Sequence, residues 1–297
     1  MAFFMPVAIF IGASLWIFDQ YQLTQILPTL NFDNLVSVTI LGLISWLGGI
    51  LLLVTNRDMY RFIEGYGRYN PVKLVGSMQK RRFQKLHEKL EKLDDEYRNA
   101  GNNFSIKKRD ERNKIMKELA DHFPDDERWL LPTAFGNTLR SFETYPRVMY
   151  GFEAIDGWSR ILAVVPEDYR TLIDSAKTQV DFWVNLGSVS FLLLLEYIGV
   201  AYYQQTLEAV WLFVLIVLGL LIAPYRAKRV AVEWGDLVKS VFDLYRFDLL
   251  DSLGIEPPKS HDEERILWIN FSQAIIYRLP DSLPEIKPQE KEQDKKG

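Results

Sequence analysis

A single acid stands inside a long apolar run: Glu196 lies in residues 182–203, where Leu, Val and Phe otherwise dominate. In a helix turning about 100° per residue, Asn185, Ser188, Glu196, Gly199 and Tyr203 fall within about 80° of one another and make one polar stripe. A buried acid in a span costs on the order of 2.5–3.5 kcal/mol on the mildest scale. No Lys, Arg or His occurs in the apolar runs to offset it. The acid is therefore protonated, bonded to a neighbouring helix, or wetted. Gly42, Ser45 and Gly49 form a small-residue face that lets another helix approach closely. Plain packing then leaves Glu196 neutral and bonded to Ser45 or a backbone carbonyl. The sharper arrangement is an oligomer in which Asn185, Ser188, Glu196, Gly199 and Tyr203 line a pore and Glu196 forms a cation-preferring ring.

Two further groups carry chemistry. Arg140, Glu143, Arg147, Glu153, Asp156 and Arg160 are interleaved with Phe135, Phe142, Tyr145, Tyr150, Phe152 and Trp158. Ions among aromatics suit a ligand pocket, or a satisfied knot that docks one part of the protein on another. Lys80, Arg81, Arg82 and Lys85 have no acid between them and form a patch for an anionic lipid head or a nucleotide-like ligand. The neighbouring cations Lys89, Lys92, Lys107, Lys108, Arg109 and Arg112 are instead laced with Glu88, Glu91, Asp94, Asp95, Glu96, Asp110 and Glu111 at ion-pair spacing, as on a solvated helix face.

Much chemistry is excluded or disfavoured. Cys 0 removes disulfides, thiolate nucleophiles and Cys-based metal sites. His87, His122 and His261 are far apart, and the His87–Glu91 pair lacks a second ligand pair, so no metal site is expected. No phosphate-binding loop or nucleophile elbow occurs, and Gly65-Tyr66-Gly67 is too short to count. The expectation is no enzyme, no cofactor, no metal and no specific nucleic-acid recognition.

The elements that position these residues follow from hydropathy. A net charge of -4 hides alternation between charge-free and charge-crowded stretches. Residues 2–18, 35–55, 182–203 and 209–224 span about 25, 31, 33 and 24 Å at about 1.5 Å per residue, against a hydrocarbon core of about 30 Å. The first run lacks preceding cations and a cleavage site, so it is expected as a retained span rather than a signal. Arg57, Arg61, Arg68 and Lys73 follow the second run, and Arg226, Lys228 and Arg229 follow the fourth, whereas the other two connections carry no Lys or Arg. Positive-inside bias therefore places both termini and the central block in the cytoplasm.

In that block Phe83, Leu86, Leu90, Leu93 and Tyr97 recur at spacings of a coiled coil or helical hairpin. Residues 100–103 make the turn, Ser105 caps a second arm bearing Ile115, Leu119 and Phe123, and Pro124 stops it. Residues 131–143 read as a short helix ending before Tyr145-Pro146. Pro166-Glu167-Asp168 opens a helix of about 38 residues, some 57 Å at about 1.5 Å per residue, running into the third span as a rod able to transmit movement. After the fourth span, residues 226–253 stay helical with Val230, Trp234, Leu237, Val241, Leu244 and Tyr245 on one face. Ser260 and Glu263 then start a last helix with Ile266, Ile269 and Ile276 on one face, packed on the central domain.

Leu131, Pro132, Thr133, Gly136, Asn137, Leu139, Arg140, Phe142 and Glu143, followed by Tyr150-Gly151-Phe152-Glu153-Ala154 and Trp158, carry a resemblance. The segment resembles a family of uncharacterised bacterial multi-pass membrane proteins with a Leu-Pro-Thr-x-x-Gly-Asn-x-Leu-Arg-x-Phe-Glu motif before a span. The resemblance implies architecture alone: helix-rich, membrane-embedded, with the motif directly ahead of a transmembrane helix.

The expected fold class is all-α, a polytopic membrane protein with four transmembrane helices and a helical cytoplasmic domain. Residues 1–55 hold two spans and 56–180 the cytoplasmic domain with its hairpin at 71–123. Residues 181–224 hold two more spans, 225–279 cytoplasmic helices and 280–297 a disordered tail. The leading functional expectation is a non-enzymatic oligomeric channel of a bacterial-type inner membrane, gated by its cytoplasmic domain and of the kind used by stress or defence effectors. The competitor is a membrane-anchored scaffold or signalling protein that recruits a cytoplasmic partner. Expected partners are the lipid bilayer, further copies of the chain, and a cytoplasmic protein or anionic ligand.

Overall fold

The computed structural model describes residues 2–23, 35–100 and 104–284. Among these the secondary structure is helical, with no β-strand. The α-helices are α1 (Phe4–Gln20), α2 (Leu35–Glu64), α3 (Gly76–Ala100), α4 (Ile106–His122), α5 (Ala134–Tyr150), α6 (Ala154–Val164), α7 (Glu167–Gln204), α8 (Val210–Ser252) and α9 (His261–Tyr277). Two compact units share them: residues 1–73 with 175–231, and residues 74–174 with 232–297.

Three helices, α2, α7 and α8, are long and apolar enough to cross a membrane. The first, α1, is apolar but has 17 residues, about 25 Å at 1.5 Å per residue. In the first unit α1 lies along α2, and Val7, Ile17, Leu52, Val189, Leu193 and Ile216 form the shared core. Small residues set the close approaches. A Cβ on Gly48 would meet Val7 Cγ1 at 2.6 Å, and one on Gly49 would meet the Phe4 backbone at 3.5 Å. Gly219 of α8 likewise faces Ser190 of α7, where a Cβ would come within 2.6 Å of its Oγ. Leu43, Leu47, Leu51 and Val54, one face of α2, remain exposed.

α8 continues through Pro224 to Ser252, taking in the fourth apolar run and the helical stretch expected after it. Proline removes one helical hydrogen bond, here to the Leu220 carbonyl, and flanking turns packed through Ala223, Ala227 and Ala231 keep the helix continuous. The expected inward face of its second half is revised. Leu244 is exposed, while Val238, Val241, Phe242, Leu249 and Leu250 are buried.

In the second unit α3 and α4 pair as a hairpin over Leu93, Phe104 and Ile115, flanked by Leu86, Leu90 and Leu119. Tyr97 stays exposed yet meets Phe104 edge-on. Ser105 occupies the N-cap of α4 without a side-chain cap bond; residues 101–103 of the expected turn lie outside the described residues. α5 extends through Pro146 to Tyr150, past the expected stop before Tyr145. Burial of Pro146 and neighbouring Phe142 holds that turn, and Gly151 in the left-handed region (φ 82°) closes it. α9 turns Trp268, Phe271 and Ala274 inward, so the expected Ile266, Ile269 and Ile276 face is the outer one. Aromatic area outweighs the isoleucines in choosing the buried side. Pro280–Ser282 forms a 3-10 turn at the start of the expected tail, and residues 285–297 lie outside the described residues.

Candidate functional site

The polar stripe of α7 does not act as one surface. Glu196 accepts a hydrogen bond from Ser14 Oγ of α1 at 2.7 Å, so its bonding partner is Ser14 rather than the expected Ser45. Asn185 is fully buried and donates from Nδ2 to the Ala2 carbonyl at 3.2 Å, while its Oδ1 has no partner. Ser188 donates to the Val184 carbonyl of its own helix. Gly199 has open space beside it, and Tyr203 is 76 % exposed. Two of the five residues thus clasp α1, and Gly199 and Tyr203 stand outward. Of the expected small-residue face, Ser45 is buried and Gly49 meets α1, whereas Gly42 has nothing within 4 Å of a Cβ. Gly48, next to Gly49 and absent from that expectation, makes the tightest approach; the Gly-Gly pair was its signal.

One turn before Asn185 in α7, at the start of its apolar run, lies a constellation that hydropathy alone passes over. Asp181 is buried and accepts from Asn56 Nδ2 at 3.0 Å, Tyr60 Oη at 2.8 Å and Lys177 Nζ at 2.8 Å. One carboxylate thereby ties two turns of α2 to α7, and the Lys177 ammonium lies over the Tyr60 ring at 5.8 Å. In the sequence Asp181 stands one residue outside the apolar run, so hydropathy does not single it out.

Between α7 and α8, the reversal is pinned by phenols. Tyr197 Oη donates to the Glu208 carbonyl at 2.6 Å, and Tyr21 Oη accepts from the Glu208 amide at 3.0 Å. The positive φ of Gln205 (55°) and Ala209 (50°) marks the same turn as a strained path.

The motif of residues 131–158 resolves into structural roles in the second unit. Thr133 caps α5, accepting from Gly136 N at 2.9 Å, and buried Asn137 brackets Leu131 by bonding both its amide and its carbonyl. Phe152 stacks on Trp268 at 4.4 Å between centroids and meets Phe242 edge-on at 5.3 Å. The Glu153 amide donates to Ser272 Oγ of α9 at 3.0 Å. A Cβ on Gly151 would lie 2.8 Å from the Arg265 carbonyl, and one on Gly157 would collide with the Phe152 ring. The two glycines are there because α9 and Phe152 need that room.

The six ionic residues divide. Arg140 lies 3.5 Å from Glu143, and Arg147 lies 3.7 Å from Asp125 and 4.0 Å from Glu153. Both guanidiniums lie over Trp129, Arg147 at 4.6 Å from its centroid. Burial pushes the carboxyls of Glu143 and Glu153 above the ordinary range, with Arg140 and Arg147 pulling back. Asp156 and Arg160 are exposed on α6, joined by a bond from the Arg160 guanidinium to the Asp156 carbonyl at 2.8 Å, and the Asp156 carboxylate adds to the upward push on Glu153. Trp129, the aromatic centre of the group, carried no periodic signal in the sequence.

A second polar group joins α5, α8 and α9. Tyr150 Oη and Tyr145 Oη both donate to Asp243, at 2.6 and 3.0 Å. Arg246 bonds the Asp243 carbonyl and donates to buried Glu264 at 2.6 Å, with its guanidinium 4.3 Å from the Tyr150 centroid. Burial, then Asp243, raises the pKa of both tyrosines, so they stay hydroxyl donors. These are contacts of a closed joint between α5, α8 and α9.

The cationic patch is half spent. Lys80 pairs with Glu127 at 2.7 Å and Arg82 with Glu118 at 2.5 Å, and these two, like Arg81 and Lys85, are exposed. Among the described residues no group of three or more His, Cys, Asp or Glu could hold a metal ion. No family model matches the chain, and no curated protein or solved structure matches it significantly.

Proposed function

We propose that the chain is a non-enzymatic membrane anchor and scaffold. Its first unit is embedded in the bilayer through four helices, α1 included, with both termini and the second unit on the cytoplasmic side of a bacterial-type inner membrane. The observation that carries the reading is the bond from Ser14 to Glu196: the acid of the third apolar run is used to hold α1 in the bundle. Asn185 and Asp181 are used in the same way, helix to helix. The exposed Leu43, Leu47, Leu51 and Val54 face suits lipid tails. The second unit, with its paired charges and aromatic joint, suits a docking domain for a cytoplasmic protein.

An oligomeric pore is the second reading, favoured by Gly199 and Tyr203, which leave part of the α7 stripe open to another subunit. Bilayer conductance separates the two. The scaffold reading expects no current from reconstituted protein under any condition. Cation-selective current altered by Glu196→Gln would overturn it in favour of the pore.

A further inference from the structure

Within the first unit, α2, α7 and α8 enclose an open groove of about 570 Å³, within the range of about 300–1,000 Å³ typical of small-molecule sites. Met59, Phe62, Phe191 and Leu192 give it an apolar wall, and Ser188, Trp183 and Pro224 also line it. Its floor coincides with a missing hydrogen bond of α8: Leu220, whose carbonyl finds no N–H on Pro224, lines the groove beside the proline.

One end is cationic. The Arg226 guanidinium lies over the ring of groove-lining Trp183 at 5.3 Å, and its buried Nε has no hydrogen-bond partner. An unsatisfied buried donor on a charged group is costly, and an anion at that point removes the cost. Arg57 and Arg61, near the C-terminal end of α2, and Arg229, about one turn after Arg226 in α8, are exposed, and Asp58 lines the groove. Apolar wall, aromatic edge and guanidinium in that order match a molecule with a hydrocarbon chain and an anionic head.

We propose that this groove is a binding site for an anionic glycerophospholipid, one acyl chain lying along α7 between α2 and α8 and the phosphate bonded to Arg226. The inference rests on the membrane reading above. The lipid covers the Pro224 turn of α8 and supplies the acceptor that Arg226 Nε lacks.

The test uses full-length protein extracted from membranes in a non-ionic detergent and read by native mass spectrometry. Palmitoyl-oleoyl phosphatidylglycerol, phosphatidylcholine with the same chains, and inorganic phosphate are offered separately. One phosphatidylglycerol is retained over phosphatidylcholine by roughly fivefold, the discrimination that one Arg near a headgroup provides, and phosphate neither binds nor displaces it. Arg226→Gln abolishes the preference, Arg226→Lys keeps it, and Ser188→Phe, filling the groove, lowers retention of both lipids. Equal retention by the native protein, a preference surviving Arg226→Gln, or lipid binding indifferent to Ser188→Phe overturns the site. Displacement by phosphate alone also overturns it, in favour of a free-anion site. If Arg226→Gln loses helicity, the native comparison and Ser188→Phe still decide. Protein found outside the membrane fraction defeats the membrane reading itself, whereas membrane-extracted protein with no lipid preference defeats the site alone.

Discussion

At the scale of residues, burial decides which charges matter. Glu143 has its carboxyl pushed above its ordinary value of 4.5 by burial, with Arg140 opposing. Folding therefore favours the protonated form. Its stabilising contribution is full below the unfolded value and lost as pH rises through the raised folded value. Thermal melts from acidic to neutral pH should fall across that window, and Glu143→Gln should flatten the fall. Asp126 is the opposite case: Arg128 holds it down at about 2, so its contribution is present above 3.8 and disappears only in stronger acid. In the aromatic joint, Trp268→Ala should cost about 3–5 kcal/mol, the range for deleting a large buried aromatic. Gly157→Ala should cost about 1–3 kcal/mol through overpacking, because Phe152 is held against Trp268 and has nowhere to retreat. Chemical denaturation followed by tryptophan fluorescence reads both. The sequence marked Arg140, Glu143, Arg147 and Glu153 by proximity, but Asp243, Arg246 and Glu264 lie about a hundred residues on, and no local pattern joins them to Tyr145 and Tyr150.

Elements follow their packing more closely than their breakers. Pro146 reads as a boundary, yet α5 continues through it because the turns on either side are packed, as α8 does through Pro224. Periodicity correctly outlined the α3–α4 hairpin and the unbroken α7, where long stretches repeat one pattern. It misassigned α9, because three isoleucines share a face and two aromatics on another bury more area. Contacts between helices are harder to read from sequence, since they depend on which neighbour arrives. Glu196 was visible as an anomaly, and its partner Ser14 was not. Ser14→Ala should lower stability in detergent by about 0.6–1.7 kcal/mol, the scale of interhelical hydrogen bonds in membranes. Gly48→Val should do more, because even a methyl group there meets Val7. Melting of each variant in the same micelle checks the order.

For the molecule as a whole, hydropathy is the most legible property. Helices α2, α7 and α8 emerge from it directly, and α1 differs from them mainly by its 17 residues. The expressed protein should sediment with membranes and resist alkaline extraction; release into the supernatant as a compact particle would refute the membrane assignment. The division into two units could not be drawn from composition alone, because α7 and α8 each contribute residues to both.

The partners of α1 have a consequence for synthesis. Ala2, Ser14 and Tyr21 bond to Asn185, Glu196 and Glu208, groups that leave the ribosome more than 180 residues later. Until then α1 has α2 as its principal companion, held through Gly48 and Gly49. A helix translated well before α7 and α8 is thus fully bonded only once they follow, and a chain cut short before α7 would leave it unclasped.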